Sequence, residues 1–401
     1  MFRRLLTLAL IEVLCSGARC FHIRYIIESK RSQLDPEIFL NTTEILQKYN
    51  YQPETHYVYT EDGFELKLFR VRRSGPPVVL VHGIGDSSDG WVVAGPKYSL
   101  AFLLADAGYD VWLFNCRGNR YSRGHTRDIP KEEYWDFSFE EIGALDLPAT
   151  VDYVLSATRS PKLTYVGYSQ GSTTFLVLCS LRPEYNRKID QAVLLAPVAW
   201  LVNIKHPLVG VVSRNIDALS SFFKQKKIYE LANRGELNQL YHAEVCNVSS
   251  PLNTLCLLEI SLIFGLNSLT DLVSDRLPII TTHTAAGFST KTLLHFVQAV
   301  NSKRFCRFDY GEALNLRRYS SPKPPDYDVS RVTVPMTMFV SESDWFASPE
   351  DVKILRNRVR GKVRYIPIDK SLKFTHLEFI FGSRMNDIVN GPVLEILNTL
   401  R

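Results

Sequence analysis

Apolar residues occur along this chain in two rhythms. One is of strand length: Val78-Val79-Leu80-Val81 is continuously apolar, and Tyr109 to Phe114, Leu163 to Val166, Gln191 to Ala196, Met336 to Val340 and Val363 to Ile368 are further segments of that length. Strands apolar on both faces must be covered on both faces, so they predict a mostly parallel sheet between helical layers. The other rhythm is helical and fills the gaps. Ser99 to Ala107 reads as a helix halted by Gly108. Ser138 with Glu141 makes a capping-box pattern opening a helix towards Ala157, and Pro148 inside it predicts a kink. A helix follows Val166 through Leu181, and Pro349 to Arg358 carries proline in its first turn. Ahead of this alternation, Tyr57 to Thr60 and Glu65 to Arg73 read as strands around a turn at Glu61-Asp62-Gly63.

Between Trp200 and Tyr327 the alternation stops. This stretch is mainly helical in pattern, has apolar runs such as Leu257 to Leu266, and ends in the proline-rich Ser321 to Pro325. The expected architecture is an α/β core in two parts, 20–199 and 328–401, with a helical cap and lid insertion, 200–327, over the C-terminal edge of the sheet. Residues 1–19 read as a secretory signal: basic Arg3 and Arg4, mostly apolar Leu5 to Leu14 interrupted by Glu12, then small Ser16 and Ala18 at cleavage-site spacing. A membrane anchor is the alternative, but the run is well short of the ~20 apolar residues a span needs. The expected destination is therefore extracellular, with the lysosome as the other possibility.

Composition narrows the classes. Hydrophobic residues at 45% and charged residues at 22% are globular values and exclude a disordered chain. A net charge of +5 with only short basic clusters, such as Lys224 to Lys227, gives no nucleic-acid footprint. Seven cysteines are too few for a disulfide-built scaffold. Cys246 and Cys256 could close a small loop, Cys116 and Cys179 lie in apolar segments as buried thiols, and Cys20 and Cys306 are unassigned. Asn41-Thr42-Thr43 and Asn247-Val248-Ser249 are N-glycosylation sequons. No residue grouping suggests a metal, and no motif suggests a cofactor.

Gly167-Tyr168-Ser169-Gln170-Gly171 matches G-x-S-x-G between a strand and a helix. That turn exposes a serine hydroxyl above a sheet, and its glycines spare a clash with neighbouring backbone. A serine hydroxyl needs a base to attack at neutral pH, and the base needs a carboxylate to fix its tautomer. Of nine histidines, only His376 follows the last strand-and-helix unit. Asp344 directly follows the strand Met336 to Val340 and is the expected acid, ahead of Glu342. Backbone N–H groups of Gln170 and of Ile84, in the loop His82-Gly83-Ile84-Gly85, are the expected oxyanion donors. His82 precedes the nucleophile and is not the expected base.

These residues also carry a resemblance. Tyr57 to Gly63, His82-Gly83 with Ser87-Ser88 and Trp91, and Leu103 to Leu113 resemble the acid lipase family, which includes gastric and lysosomal acid lipases and insect digestive lipases. So do Asn115 to Asn119, Tyr134 to Ser138, Asp146 to Ala149, Gly167 to Gly171, His283 to Gly287, Phe308 to Gly311, Asp344-Trp345 and His376 to Phe379. The resemblance covers about residues 40–385. It implies an α/β-hydrolase fold, a Ser169–Asp344–His376 triad, oxyanion donors at Ile84 and Gln170, and a bridge between Cys246 and Cys256. It also implies a lipid ester as substrate, met at an oil–water or membrane interface. Three departures stand out: Phe114 where the family has glycine, Ala285 where it has proline, and Ile84-Gly85-Asp86 in place of two apolar residues after His82-Gly83. An inactive lipid-binding protein on the same fold and an esterase for other lipids are the rival readings; the intact triad speaks against the first.

Overall fold

The computed structural model describes residues 34–233, 235–265 and 271–399. The expected signal segment and Cys20 lie outside the described residues. In chain order the strands are β1 Pro53–Tyr59, β2 Phe64–Val71, β3 Pro77–Val81, β4 Asp110–Leu113, β5 Gly124–His125, β6 Leu163–Tyr168, β7 Ile189–Leu195, β8 Glu230–Leu231, β9 Phe288–Ser289, β10 Met336–Ser341 and β11 Val363–Ile368. The main sheet runs β1-β2-β4-β3-β6-β7-β10-β11, with β5 attached to β2. β1 and β2 pair antiparallel, as do β2 and β4; from β4 to β11 every pairing is parallel.

The apolar runs become strands because each face of the sheet has its own core. Val78 and Leu80 of β3 pack on one side with Val166, Val193 and Phe339. Val79 and Val81 pack on the other with Tyr165, Leu194 and Met338. This alternation pins the register, since a one-residue slip would exchange the two cores.

The stretch from Ser138 to Ala157 is a continuous helical run with a π turn inside it. The capping box forms: Ser138 Oγ accepts from the Glu140 N–H at 3.1 Å and the Ser138 N–H donates to Glu141 Oε2 at 2.7 Å. A short helix, Phe139–Glu141, then passes into a π turn, Ile142–Asp146, and the α-helix resumes at Leu147–Thr158. Pro148 follows two residues after the π turn, and prolines and π turns are both places where helices bend.

Between β7 and β10 the chain forms the helices Val209–Arg214, Ile216–Lys226, Glu236–Val245, Asn253–Phe264, Leu277–His283, Thr290–Ser302 and Glu312–Tyr319. The β8–β9 ribbon is also here. Cys246 and Cys256 are bridged, joining the end of Glu236–Val245 to the helix Asn253–Phe264. Cys116, Cys179 and Cys306 are free and buried. Among the described residues no helix is long and apolar enough to cross a membrane.

Candidate active site

Strand order reverses at β3: the chain next pairs β4 on one side of it and later β6 on the other. In an open α/β sheet the crevice at such a switch point is where ligands bind. Ser169 follows β6, the His82–Gly85 loop follows β3, Asp344 follows β10 and His376 follows β11.

Ser169 is held at φ +51°, a strained value for a residue with a side chain. Its neighbours leave no alternative to glycine. A Cβ on Gly171 would overlap the Val81 carbonyl, and one on Gly167 would lie 2.8 Å from the Gly171 carbonyl. The Ser169 N–H donates to the Leu195 carbonyl at 2.9 Å, which ties the turn to β7.

Ser169 Oγ lies 2.8 Å from His376 Nε2, and His376 Nδ1 lies 2.7 Å from Asp344 Oδ2. Asp344 is fully buried, and its Oδ1 accepts the N–H groups of Phe346 at 2.8 Å and Ala347 at 3.0 Å. These donors leave Oδ2 to receive a proton from Nδ1, so Nε2 presents a lone pair to the serine. The arrangement can therefore take a proton from Ser169 and return it to a leaving group. Glu342 is exposed and does not join it.

The loop after β3 lies directly against the serine: a Cβ on Gly83 would be 3.4 Å from Ser169 Cβ. His82 is buried, with Nδ1 2.8 Å from the Gly83 carbonyl and Nε2 3.3 Å from the Cys116 N–H. Burial pushes its pKa down to about 4, against the opposing pull of the Gly83 carbonyl. It is a neutral brace for the loop, and Phe114 stacks on it at 5.8 Å. Asp86 folds under the same loop, its Oδ1 accepting the Ser87 N–H at 2.7 Å. Burial pushes the Asp86 pKa up to about 7, while the Ser87 and Gly90 N–H groups restrain it.

Asp89 anchors the far end of the loop. Its carboxylate takes Thr42 Oγ1 at 2.5 Å, Tyr121 OH at 2.6 Å, Arg120 Nη1 at 2.5 Å and His283 Nδ1 at 2.8 Å. Burial alone would raise its pKa, but Arg120 and His283 hold it well below the usual carboxylate range. The turn after His283 reaches the loop again: the Ala286 N–H donates to the Gly85 carbonyl at 2.7 Å. Gly85 has φ +69°, and a Cβ there would be 3.2 Å from the Phe288 ring. Ala285, at φ +75°, takes the left-handed turn that brings Ala286 into place.

Comparison with known proteins agrees with this architecture. Residues 76–378 match a family model described as alpha/beta hydrolase fold, and residues 42–95 match one described as partial alpha/beta-hydrolase lipase region. Lipase 1 of Drosophila melanogaster is 38% identical over 374 residues, 92% of this chain and 82% of that lipase. Lipase member M of Homo sapiens is 36% identical, over 87% of this chain and 83% of that protein. The gastric triacylglycerol lipase of Homo sapiens is 34% identical, over 90% of this chain and 92% of that enzyme. The chain belongs to the acid lipase family of α/β-hydrolases.

As an acid lipase it is a carboxylic ester hydrolase. The expected acid, base and nucleophile come together, and the Gly167, Gly171 and Gly83 positions lie where close approach demands them. Sequence reasoning did not single out Tyr168, Asp89 or Phe346. Tyr168 is a variable position of G-x-S-x-G, and Asp89 lies between Ser88 and Trp91 without a motif of its own. Phe346, whose ring centroid is 5.1 Å from that of His376, had no signal beyond following Asp344.

Proposed function

We propose that this acid lipase hydrolyses ester bonds of neutral lipids, triacylglycerols or sterol esters, through an acyl-enzyme on Ser169. The observation that carries this reading is the continuous hydrogen-bond relay from Ser169 Oγ through His376 to Asp344 at the sheet's switch point. His376 takes the Ser169 proton as Oγ attacks the ester carbonyl. Asp344 keeps the proton on Nδ1 and stabilises the imidazolium. The Ile84 and Gln170 N–H groups receive the oxyanion, and aiming them beforehand supplies much of the rate. His376 then protonates the departing alcohol, after which water, activated by the same imidazole, releases the fatty acid.

A lipid substrate is supported by the helix Asn253–Phe264. So many apolar side chains on one helix would ordinarily be buried, yet this one leaves Leu255, Leu258, Leu262 and Ile263 exposed. Its end lies beside the site: His206 Nε2 is 3.1 Å from the Leu262 carbonyl, and the His206 ring packs on Trp345 and Phe346. We read this as the face that meets a lipid surface. The relatives named as lipases, one of them for triacylglycerol, support the same substrate class.

Secretion, to the exterior or a lysosome, completes the reading, with glycans at Asn41 and Asn247. Asn247 is exposed. Asn41 caps the helix Thr42–Lys48 through Oδ1, which accepts the Glu44 N–H at 3.0 Å. A glycan on its nitrogen leaves that acceptor intact. The test is fatty-acid release from emulsified triacylglycerol and sterol ester by the purified protein beside Ser169→Ala. Release by the wild type alone supports the reading; equal release by both, or none by a folded wild type on either lipid, overturns it.

A further inference from the structure

One side chain touches the nucleophile turn, the base and the oxyanion loop together. Tyr168 precedes Ser169 and is buried. Its hydroxyl donates to the backbone carbonyl of His376 at 2.9 Å. Its ring centroid lies 5.2 Å from that of the His376 imidazole, tilted by 37°. Its other ring edge fills the space over Gly83, where a Cβ would be 3.1 Å from two of its carbons.

The turn that carries His376 depends on a few side chains. Ser341 Oγ donates to the Phe374 carbonyl, and the Thr375 N–H donates to Glu378 Oε2. Neither reaches residue 376 itself. Tyr168 does, from the element that presents the serine. The Ser169-to-His376 distance is thus set by a strut one residue from the nucleophile as well as by the sheet. Burial, with Asp344 and Asp86 nearby, raises the Tyr168 pKa far above its ordinary value, so the phenol keeps its proton and remains a donor.

We infer that Tyr168 is a positioning residue for ester hydrolysis, its hydroxyl holding the His376 backbone and its ring holding Gly83, so that base and oxyanion loop stay aligned on Ser169. This rests on the reading of Ser169 as nucleophile and His376 as base. The reasoning is geometric: an error of about 1 Å between reacting groups can cost ~100-fold in rate, and a hydrogen bond from a buried phenol to a backbone carbonyl is a short, directional constraint.

The experiment compares wild type, Tyr168→Phe, Tyr168→Leu and Ser169→Ala on a soluble short-chain ester. Active sites are counted by covalent labelling with a fluorophosphonate, so that misfolded molecules drop out. Tyr168→Phe keeps the ring and loses only the hydroxyl. Expected is a kcat per labelled site lowered roughly tenfold, KM within twofold, and a labelling rate reduced in parallel. Tyr168→Leu, which also frees Gly83, falls further. A kcat per labelled site within twofold of wild type in Tyr168→Phe, whatever happens to thermal stability, overturns the inference. Hydrolysis or labelling retained in Ser169→Ala overturns the underlying nucleophile assignment instead, so the two failures are told apart.

Discussion

Replacing Asp344 with asparagine exchanges one accepting oxygen for a donating amide at almost constant volume. Oδ1 now receives two backbone N–H groups, from Phe346 and Ala347, and Oδ2 receives one proton from His376. Asparagine can keep only one of these acceptors. With its NH2 turned to the backbone, two buried N–H groups lose their partner, at ~1–3 kcal/mol each. With its NH2 turned to His376, both backbone bonds survive and the imidazole need only change tautomer. The second arrangement wins by a few kcal/mol on this count. It places the proton on Nε2, where it faces Ser169 and cannot accept the serine proton. The expected result is a fall in kcat of about 10,000-fold, the size seen when a buried relay is given the wrong tautomer, with little change in Tm. The assay is turnover of a soluble short-chain ester at neutral pH, alongside thermal unfolding. A folded Asp344→Asn variant within tenfold of wild type would refute the reasoning.

The other expectations are narrower. Burial raises the Glu378 pKa to about 7, with Asp271 adding to the rise and the Thr375 N–H and Arg384 opposing it. The folded protein therefore keeps a proton that the unfolded chain releases at lower pH, and this stabilisation is lost as pH rises through about 7. Glu378→Gln keeps an acceptor for Thr375 and should raise Tm over wild type at pH 8 more than at pH 5; an equal difference at both would count against it. Opening the Cys246–Cys256 bridge with paired serines should cost about 2–3 kcal/mol, read as easier proteolysis between β7 and β10. Leu258→Glu should spare hydrolysis of a dissolved ester and depress hydrolysis of an emulsion severalfold, and parallel loss on both would show that the residue serves folding alone. Gly171→Ala should destabilise by about 3 kcal/mol or abolish folding, because the Val81 carbonyl it would overlap is backbone within the sheet. Soluble expression at wild-type Tm would contradict this.

The sheet was legible in the sequence because its inner strands are apolar on both faces, and Val78 to Val81 or Met336 to Val340 admits few other readings. Ser169, Asp344 and His376 were legible because each follows a strand in the chain order that this fold uses. The π turn ahead of Pro148 was not legible, because helical periodicity carries no sign of it. Tyr168 and Asp89 were not legible for another reason. Tyr168 earns its role through His376, 208 residues away, and Asp89 through His283, 194 residues away. Their local sequence carries no trace of those partners.

The interlock around Asp89 bears on how such an enzyme can be taken apart. Arg276 donates to the Val93 carbonyl at 3.0 Å, to Tyr49 OH at 3.2 Å and to Glu37, while His283 lies 2.9 Å from the Glu37 carbonyl. The N-terminal arm, the loop after β3 and helix Leu277–His283 thus close one on another like the parts of a lock. A chimaera that exchanged everything between β7 and β10 for a relative's segment would import a new bolt into an old strike plate: Thr42, Arg120 and Tyr121 would stay on Asp89 while His283 was replaced. The natural cut for grafting substrate preference lies earlier, near residue 265, leaving Arg276 to Phe288 with the core they hold.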